Sequence, residues 1–441
     1  MLTDVPVLPD YPYTLETLDN GLRVVVSEDH LAPVAAVNVW YDVGSRHETP
    51  GRTGFAHLFE HLMFQGSTHV ARNDHFGLIS AAGGTLNGTT WCDRTNYYET
   101  VPAHHVETAL WLEADRMGGL LDALDQQNLD NQREVVKNEK RQTRDNQPYG
   151  SWLDLVHTHA WPEGHPYQHS TIGSMADLDA ASLEDARGFY STWYGPDNAV
   201  LSVVGDVDTE ATLAAVRRYF GGIPAKGQYP PSPPSDLPAL IGQEIRRTVP
   251  DRVPVPRIFV AYRCPPFGTP EFDALELAAI VLGGGRGCRL YKSLVLDRGL
   301  LQAPDGDVTS TWPFVAGATV FIADLPAREG ADVAELEAAY HEIAEGLADG
   351  VSEDEMERAR AVHTSTWLHH LATVDGRADT FSQFTTLFGD PGLVNTLLPR
   401  QLAVTGADVA AVARDFLRPD NRVVLVFEPA GDPEDAEEVG E

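Results

Sequence analysis

"SLEDARGFYSTWYGPDNAVLSVVGD", residues 182–206, aligns without a gap to "TGADVAAVARDFLRPDNRVVLVFEP", residues 405–429, each position lying 223 residues (405 − 182) after its counterpart. Both stretches open with a hydroxyl residue and an aspartate three positions on, Ser182 with Asp185 and Thr405 with Asp408. That spacing caps a helix: the hydroxyl accepts from a free backbone N–H while the carboxylate turns back to the cap residue's own N–H. An amphipathic helix, a Pro-Asp-Asn turn and an apolar, β-rich strand follow in each copy. Cap, turn and strand repeating at an offset of half the chain mean a duplicated domain. The alternative is two unrelated helix-turn-strand units, a common local pattern.

Working outward, a chain of 441 residues exceeds what one core organises, so two domains of roughly 200 residues are expected. The joint is "GGIPAKGQYPPSPPSDLP", residues 221–238, rich in Pro, Gly and Ser and without periodicity. The expected division is a first domain at 1–220, a linker at 221–240, a second domain at 241–430 and a frayed acidic tail, "GDPEDAEEVGE", at 431–441. Each half opens with strands, "GLRVVVSED" and "VAAVNVWYDVGS" in the first and "RIFVAYRCP" in the second. Helices follow, "TGFAHLFEHLMF" in the first half and "EFDALELAAIVLGG" in the second. Strands and helices mixed without strict alternation predict an α+β class: two homologous α/β-sandwich domains, each a mostly antiparallel sheet with helices covering one face.

Composition removes several functions. Sixty-five acidic against 32 basic residues give a formal net charge of −33, which disfavours nucleic acid and anionic membranes and favours cationic peptides. Cys92, Cys264 and Cys288 are odd in number, with no CxxC pair, and read as buried thiols. No signal-like N-terminus or membrane-length apolar run occurs, so the chain is expected to be soluble and cytoplasmic, a signal removed earlier being invisible in this sequence.

The chemistry concentrates in "GFAHLFEHLMFQGS", residues 54–67. On a helix, His57 and His61 share a face one turn apart, and Glu60 stands next to the second histidine. This is H-x-x-E-H, the inverted form of a zinc-hydrolase motif. A catalytic zinc needs a third protein ligand and an open position for water. "NQREVVKNEKRQTRDNQPYG", residues 131–150, supplies Glu134 and Glu139 on a strongly helical stretch. The bland reading is a surface helix with solvated polar residues; against it stand Phe55, Leu58, Phe59, Leu62 and Met63, which require extensive apolar packing. The second half's corresponding helix has no histidine, so the metal site belongs to the first half alone. His165 and His169 are interrupted by Pro166, His104–His105 and His369–His370 are adjacent pairs, and all are read as structural. "GGGRGC" lacks the Lys-Ser/Thr of a phosphate loop and reads as a helix C-terminus.

These segments resemble one family, the M16 peptidases or inverzincins, which include pitrilysin and the mitochondrial processing peptidase. The similarity runs over nearly the whole chain: "LDNGLRVVVSEDHLAPVAAVNVWYDVGSRHE" resembles the family's opening strands, "GTLNGTTWCDRTNYYETVP" its substrate-binding edge strand and "REVVKNEKRQ" its distal-ligand helix. "HPYQHSTIGS" and the paired Pro-Asp-Asn units are similar to its later elements. The resemblance implies a zinc metalloendopeptidase holding one Zn²⁺ on His57, His61 and Glu139, with Glu60 as general base, Gln132 where the family usually has a supporting glutamate, and Glu134 on the surface. A peptide substrate would add as a strand beside residues 86–99, its backbone met by Asn87. The alternative for Asn87 is a turn residue before Gly88.

Self-sufficient family members carry an arginine and, seven residues on, a tyrosine in the second half. The matching positions here are Val295 and Gln302. The resemblance therefore implies the zinc-bearing subunit of a heterodimer whose homologous partner supplies the pair, with a homodimer as the alternative and Arg289 together with Tyr291, or else Arg298, as substitutes within this chain. Two competing functions are a structural or assembly subunit of a larger complex and a peptidase dedicated to one precursor.

Overall fold

A computed structural model of the chain describes residues 8–430 apart from 235, 236, 239, 304–306 and 313–316. The acidic tail at 431–441 and part of the linker lie outside the described residues.

The first sheet contains β1 (Thr14–Thr17), β2 (Arg23–Glu28), β3 (Val34–Tyr41), β4 (Thr85–Thr90), β5 (Thr95–Pro102) and β6 (Ala199–Gly205) in the order β1-β2-β6-β3-β5-β4. Only β2 and β6 run parallel. The second contains β7 (Gln243–Asp251), β8 (Arg257–Cys264), β9 (Thr309–Trp312), β10 (Thr319–Pro326) and β11 (Asn421–Pro429) in the order β7-β11-β8-β10-β9, with β7 and β11 parallel. The repeat strands β6 and β11 therefore hold the same place, each parallel to one neighbour and antiparallel to the other.

The duplication extends to single hydrogen bonds. Ser182 and Thr405 form the expected capping boxes with Asp185 and Asp408. Asn198 Nδ2 donates to the carbonyls of Trp193 at 3.0 Å and Asp42 at 3.2 Å. Its counterpart Asn421 Nδ2 donates to those of Phe416 and Arg263, both at 2.8 Å. In both copies one asparagine satisfies an orphan carbonyl at the helix end and ties the turn to the strand beside it.

Among the described residues two compact units result, but neither is contiguous: one gathers residues 8–137, 171–233 and 367–399, the other residues of 138–170, 234–366 and 400–430. The cut at 137 falls inside the single helix Gln126–Lys140. Each unit thus includes a helical segment from the other half of the sequence. In the first, Val37, Val39, Tyr41 and Tyr97 enter the main core with the helices that follow them. The opposite sheet face is covered by the helix Val374–Phe388, where Ser382 Oγ donates to Ser202 Oγ at 2.8 Å. In the second, Trp152 of the helix Trp152–Ala160 stacks on Phe259 at 4.8 Å. The expectation of helices on one face alone is corrected here, because strands buried on both sides, such as β3, need cover on both. Among the described residues, no helix is long and apolar enough to cross a membrane. The three cysteines are buried, as expected.

Candidate metal centre

Local sequence fixes the histidine helix, Phe55–Leu62. It begins at Gly54, whose φ of 84° suits glycine and where a Cβ would lie 2.5 Å from the carbonyl oxygen of Ile172. The Glu48 carboxylate takes the orphan N–H groups of Gly54 at 3.0 Å and Ala56 at 2.7 Å, placing negative charge where the helix is positive. Phe55, Leu58, Phe59 and Leu62 are buried, which turns the half-buried His57 and His61 to one side with ring centroids 4.9 Å apart.

Glu139 sits in the last turn of the helix Gln126–Lys140. That helix is anchored by buried Gln132 and Val136, and Glu139 follows at three residues beyond Val136, on the same face. The ligand atoms of His57, His61 and Glu139 all lie within 4.8 Å of one another. Around a tetrahedral zinc with bonds of 2.0–2.2 Å, donors stand roughly 3.3–3.5 Å apart, so small side-chain rotations close this set on an ion. Two imidazoles and a carboxylate leave one position open, and the residues present fit zinc. Glu134, in contrast, is exposed and pairs with Lys137 at 3.0 Å.

Glu60 is buried and faces β4. The Thr90 hydroxyl donates to Glu60 Oε2 at 2.6 Å. A Cβ on Gly88 would come within 3.1 Å of Glu60 Cγ, so glycine is what lets the strand pass this close. The stretch 86–99 is corrected from one edge strand to a hairpin: β4 is the outer strand and β5 the inner one, leaving Thr85–Thr90 as the edge. Asn87 is exposed on β4 and in register with Tyr98, so the turn alternative fails despite Asn-Gly.

In the second half, Val295 is half-buried against its core and Gln302 is exposed. Arg289 is committed to Glu355 at 2.7 and 3.0 Å and to the Gly346 and Gly350 carbonyls, and Arg298 pairs with Glu342 at 3.0 Å. Tyr291 packs against the same core. The helix Pro270–Gly283 ends at Gly284, as read for the glycine run. No regular helix contains His165 or His169.

Sequence reasoning missed a second group, His75, Glu99 and Glu113, whose ligand atoms also lie within 4.8 Å of one another and are fully enclosed. Arg116 already occupies the space between the carboxylates, bonding Glu113 and standing 3.7 Å from Glu99. A fixed guanidinium there makes this a buried charge network and disfavours a second cation. The available signal was Glu99 two residues from both Tyr97 and Val101, in phase with these inward side chains.

Fold and donor set together describe a duplicated α+β unit with one group of potential metal ligands, His57, His61 and Glu139. The chain belongs to peptidase family M16, since the family model described as insulinase (peptidase family M16) matches residues 23–173 and that of the peptidase M16 inactive domain matches residues 180–362. It is 31% identical over 281 residues to the zinc protease PqqE of Helicobacter pylori, the match spanning 63% of each chain. An uncharacterized zinc protease of Mycobacterium leprae is 30% identical over 78% of this chain and 76% of that one. Among solved structures, a protease from Helicobacter pylori shares the fold with a TM-score of 0.88 at 24% identity, over 95% of this chain and 100% of that chain.

Proposed function

We propose that the chain is a zinc-dependent endopeptidase acting on short or unfolded peptides, with His57, His61 and Glu139 holding one zinc ion and Glu60 as general base. The observation that carries this reading is the convergence of three donors within 4.8 Å beside a buried carboxylate. When bound, zinc supplies a Lewis acid that acidifies water and polarises a carbonyl oxygen. A peptide added along Thr85–Thr90 takes main-chain hydrogen bonds from the open edge of β4, so recognition depends little on its side chains. Asn87 offers its amide to that backbone. Glu60 Oε1 removes a proton from the water attacking the scissile carbonyl and returns it to the leaving amine, while the Thr90 hydroxyl holds Oε2.

Glu139→Gln is expected to weaken zinc binding about 10-fold or more, by analogy with the penalty for losing even an outer contact. Metal analysis after dialysis reads this directly. Glu134→Gln serves as the control with full zinc, and a fully loaded Glu139→Gln protein would remove Glu139 from the set. Thr90→Val should lower kcat about 10-fold with KM little changed, since a hydrogen bond to a charged group contributes ~1.5–3 kcal/mol. Unaltered kcat in steady-state assays would assign Thr90 no positioning role.

The reading extends to a partner. Val295 and Gln302 cannot donate as an arginine and tyrosine do, and Arg289 and Arg298 are held by Glu355 and Glu342. A homologous subunit supplying that pair, most simply in a heterodimer, would complete the stabilisation of developing negative charge. Cleavage of a quenched fluorescent peptide by the zinc-loaded chain alone, with Glu60→Gln as blank, separates the cases. One bound zinc without turnover supports a partner, turnover above the blank shows self-sufficiency, and neither zinc nor turnover favours an assembly subunit.

A further inference from the structure

Along β4, side chains alternate between faces, so Thr89 points away from the Glu60 side that Gly88 and Thr90 adjoin. On that other face of the first sheet is a cavity of about 370 Å³. Thr89, Arg94, Asn96 and Tyr98 line it from the β4–β5 hairpin, Asp379 and His370 from the helical side.

Two opposite charges in this wall are each held by one edge. Asp379 Oδ1 accepts from Trp40 Nε1 at 2.8 Å, Asn96 Nδ2 at 3.0 Å and Asn38 Nδ2 at 3.1 Å, whereas Oδ2 has no donor among the described residues. Arg94 Nη1 donates to the Thr89 carbonyl at 2.9 Å, to Asn96 Oδ1 at 3.0 Å and to the Thr89 hydroxyl, and the guanidinium lies over the Trp40 ring at 4.9 Å. Its Nε and Nη2 have no acceptor among the described residues. Burial draws Arg94 down to about 10, with Asp379 opposing, so it stays cationic at neutral pH.

Opposite charges in a poorly solvated wall gain by closing into an ion pair. These two do not, because Asn96 stands between them, accepting from Arg94 on its oxygen and donating to Asp379 from its nitrogen. A cation and an anion fixed apart, each with an open edge on one cavity, form a receptor for a ligand bearing both signs at short separation. His370 also lines the cavity, its Nε2 3.1 Å from the Thr380 hydroxyl.

We propose that this cavity binds a zwitterionic α-amino acid or dipeptide, its carboxylate on Arg94 and its ammonium on Asp379. The volume lies at the small end of ligand sites, roughly 300–1,000 Å³. Such molecules are what thorough peptide hydrolysis releases, and the site shares β4 with the Glu60 face, though binding here does not depend on the peptidase reading.

The test is calorimetric titration of glycylglycine into the zinc-loaded full chain, alongside N-acetylglycylglycine, which lacks the ammonium, and glycylglycinamide, which lacks the carboxylate. One site is expected, with each blocked analogue at least about 10-fold weaker, the loss of one charged contact. Arg94→Gln should bind glycylglycine and its amide alike. Equal affinity of all three ligands for the unaltered chain, or no binding up to about 10 mM glycylglycine, would overturn the proposal. So would loss of binding when zinc is stripped by a chelator, because that places the ligand at His57 and His61. Absence of peptidase turnover leaves these outcomes unchanged.

Discussion

Glu60→Gln is expected to keep one zinc per chain while lowering kcat/KM for a quenched peptide by about 10²–10⁴-fold, the range that general acid–base catalysis supplies. The substitution is nearly isosteric, and the three donors that converge, His57, His61 and Glu139, do not include residue 60. An amide oxygen still accepts from the Thr90 hydroxyl, so the hydrogen bond at 2.6 Å survives in form. What the amide lacks is a basic site for the proton of the attacking water. Space does not confound the comparison, because β4 passes Glu60 at Gly88, where no side chain stands. Metal content and thermal midpoint should therefore match the unaltered chain. Turnover within about threefold of the unaltered protein, or zinc lost along with activity, would contradict the role given to Glu60.

How much of this could be read from the sequence depends on how locally each feature is specified. The duplicated unit was legible because Ser182 and Thr405, their aspartates and the paired asparagines Asn198 and Asn421 act within a few residues of themselves. The candidate donor group was legible in part for the same reason: His57 and His61 share one helix, and a metal held by them would need a third donor. Glu139 rather than Glu134 required the family resemblance, since both lie on one helix and only tertiary packing decides which faces inward. Nothing local announces that residues 138–170 and 367–399 join units built mainly from the other half of the chain. Helical periodicity reports that a face is apolar, not which sheet covers it. The buried charges were hidden for a further reason. Glu113 and Arg116 read as the solvated side of "ALWLEADRMGGLL", and only the closeness of His75 and Glu99 in space turns them inward.

That network carries the largest stability effect we expect. Arg116→Met should destabilise the fold by about 3–5 kcal/mol, the usual consequence of removing one partner from a buried ion pair. Arg116 lies between the rings of Tyr97, 4.2 Å away, and Phe64, 4.9 Å away, while bonding Glu113 and approaching Glu99 at 3.7 Å. Methionine fills much of that volume but leaves two carboxyl groups without their cation. Burial raises both even with Arg116 present, Glu113 well above its ordinary value. The folded chain therefore binds more protons here than the unfolded one, and this contribution, full below the ordinary carboxylate range, is lost as pH rises through the raised values. Removing Arg116 strengthens the tendency, so the deficit should be larger at about pH 8 than at about pH 5. His75 acts in the same sense: burial, with Arg116 adding to it, draws its pKa to about 3, and loss of the guanidinium lets acid protonate it more readily beside Glu99 at 3.0 Å. Urea midpoints of the first unfolding transition at the two pH values measure this. Glu113→Gln combined with Arg116→Met should recover part of the loss, because the amide needs no counter-charge. A deficit equal at both pH values and undiminished in the double variant would mean that Arg116 stabilises the core by packing on Phe64 and Tyr97 alone.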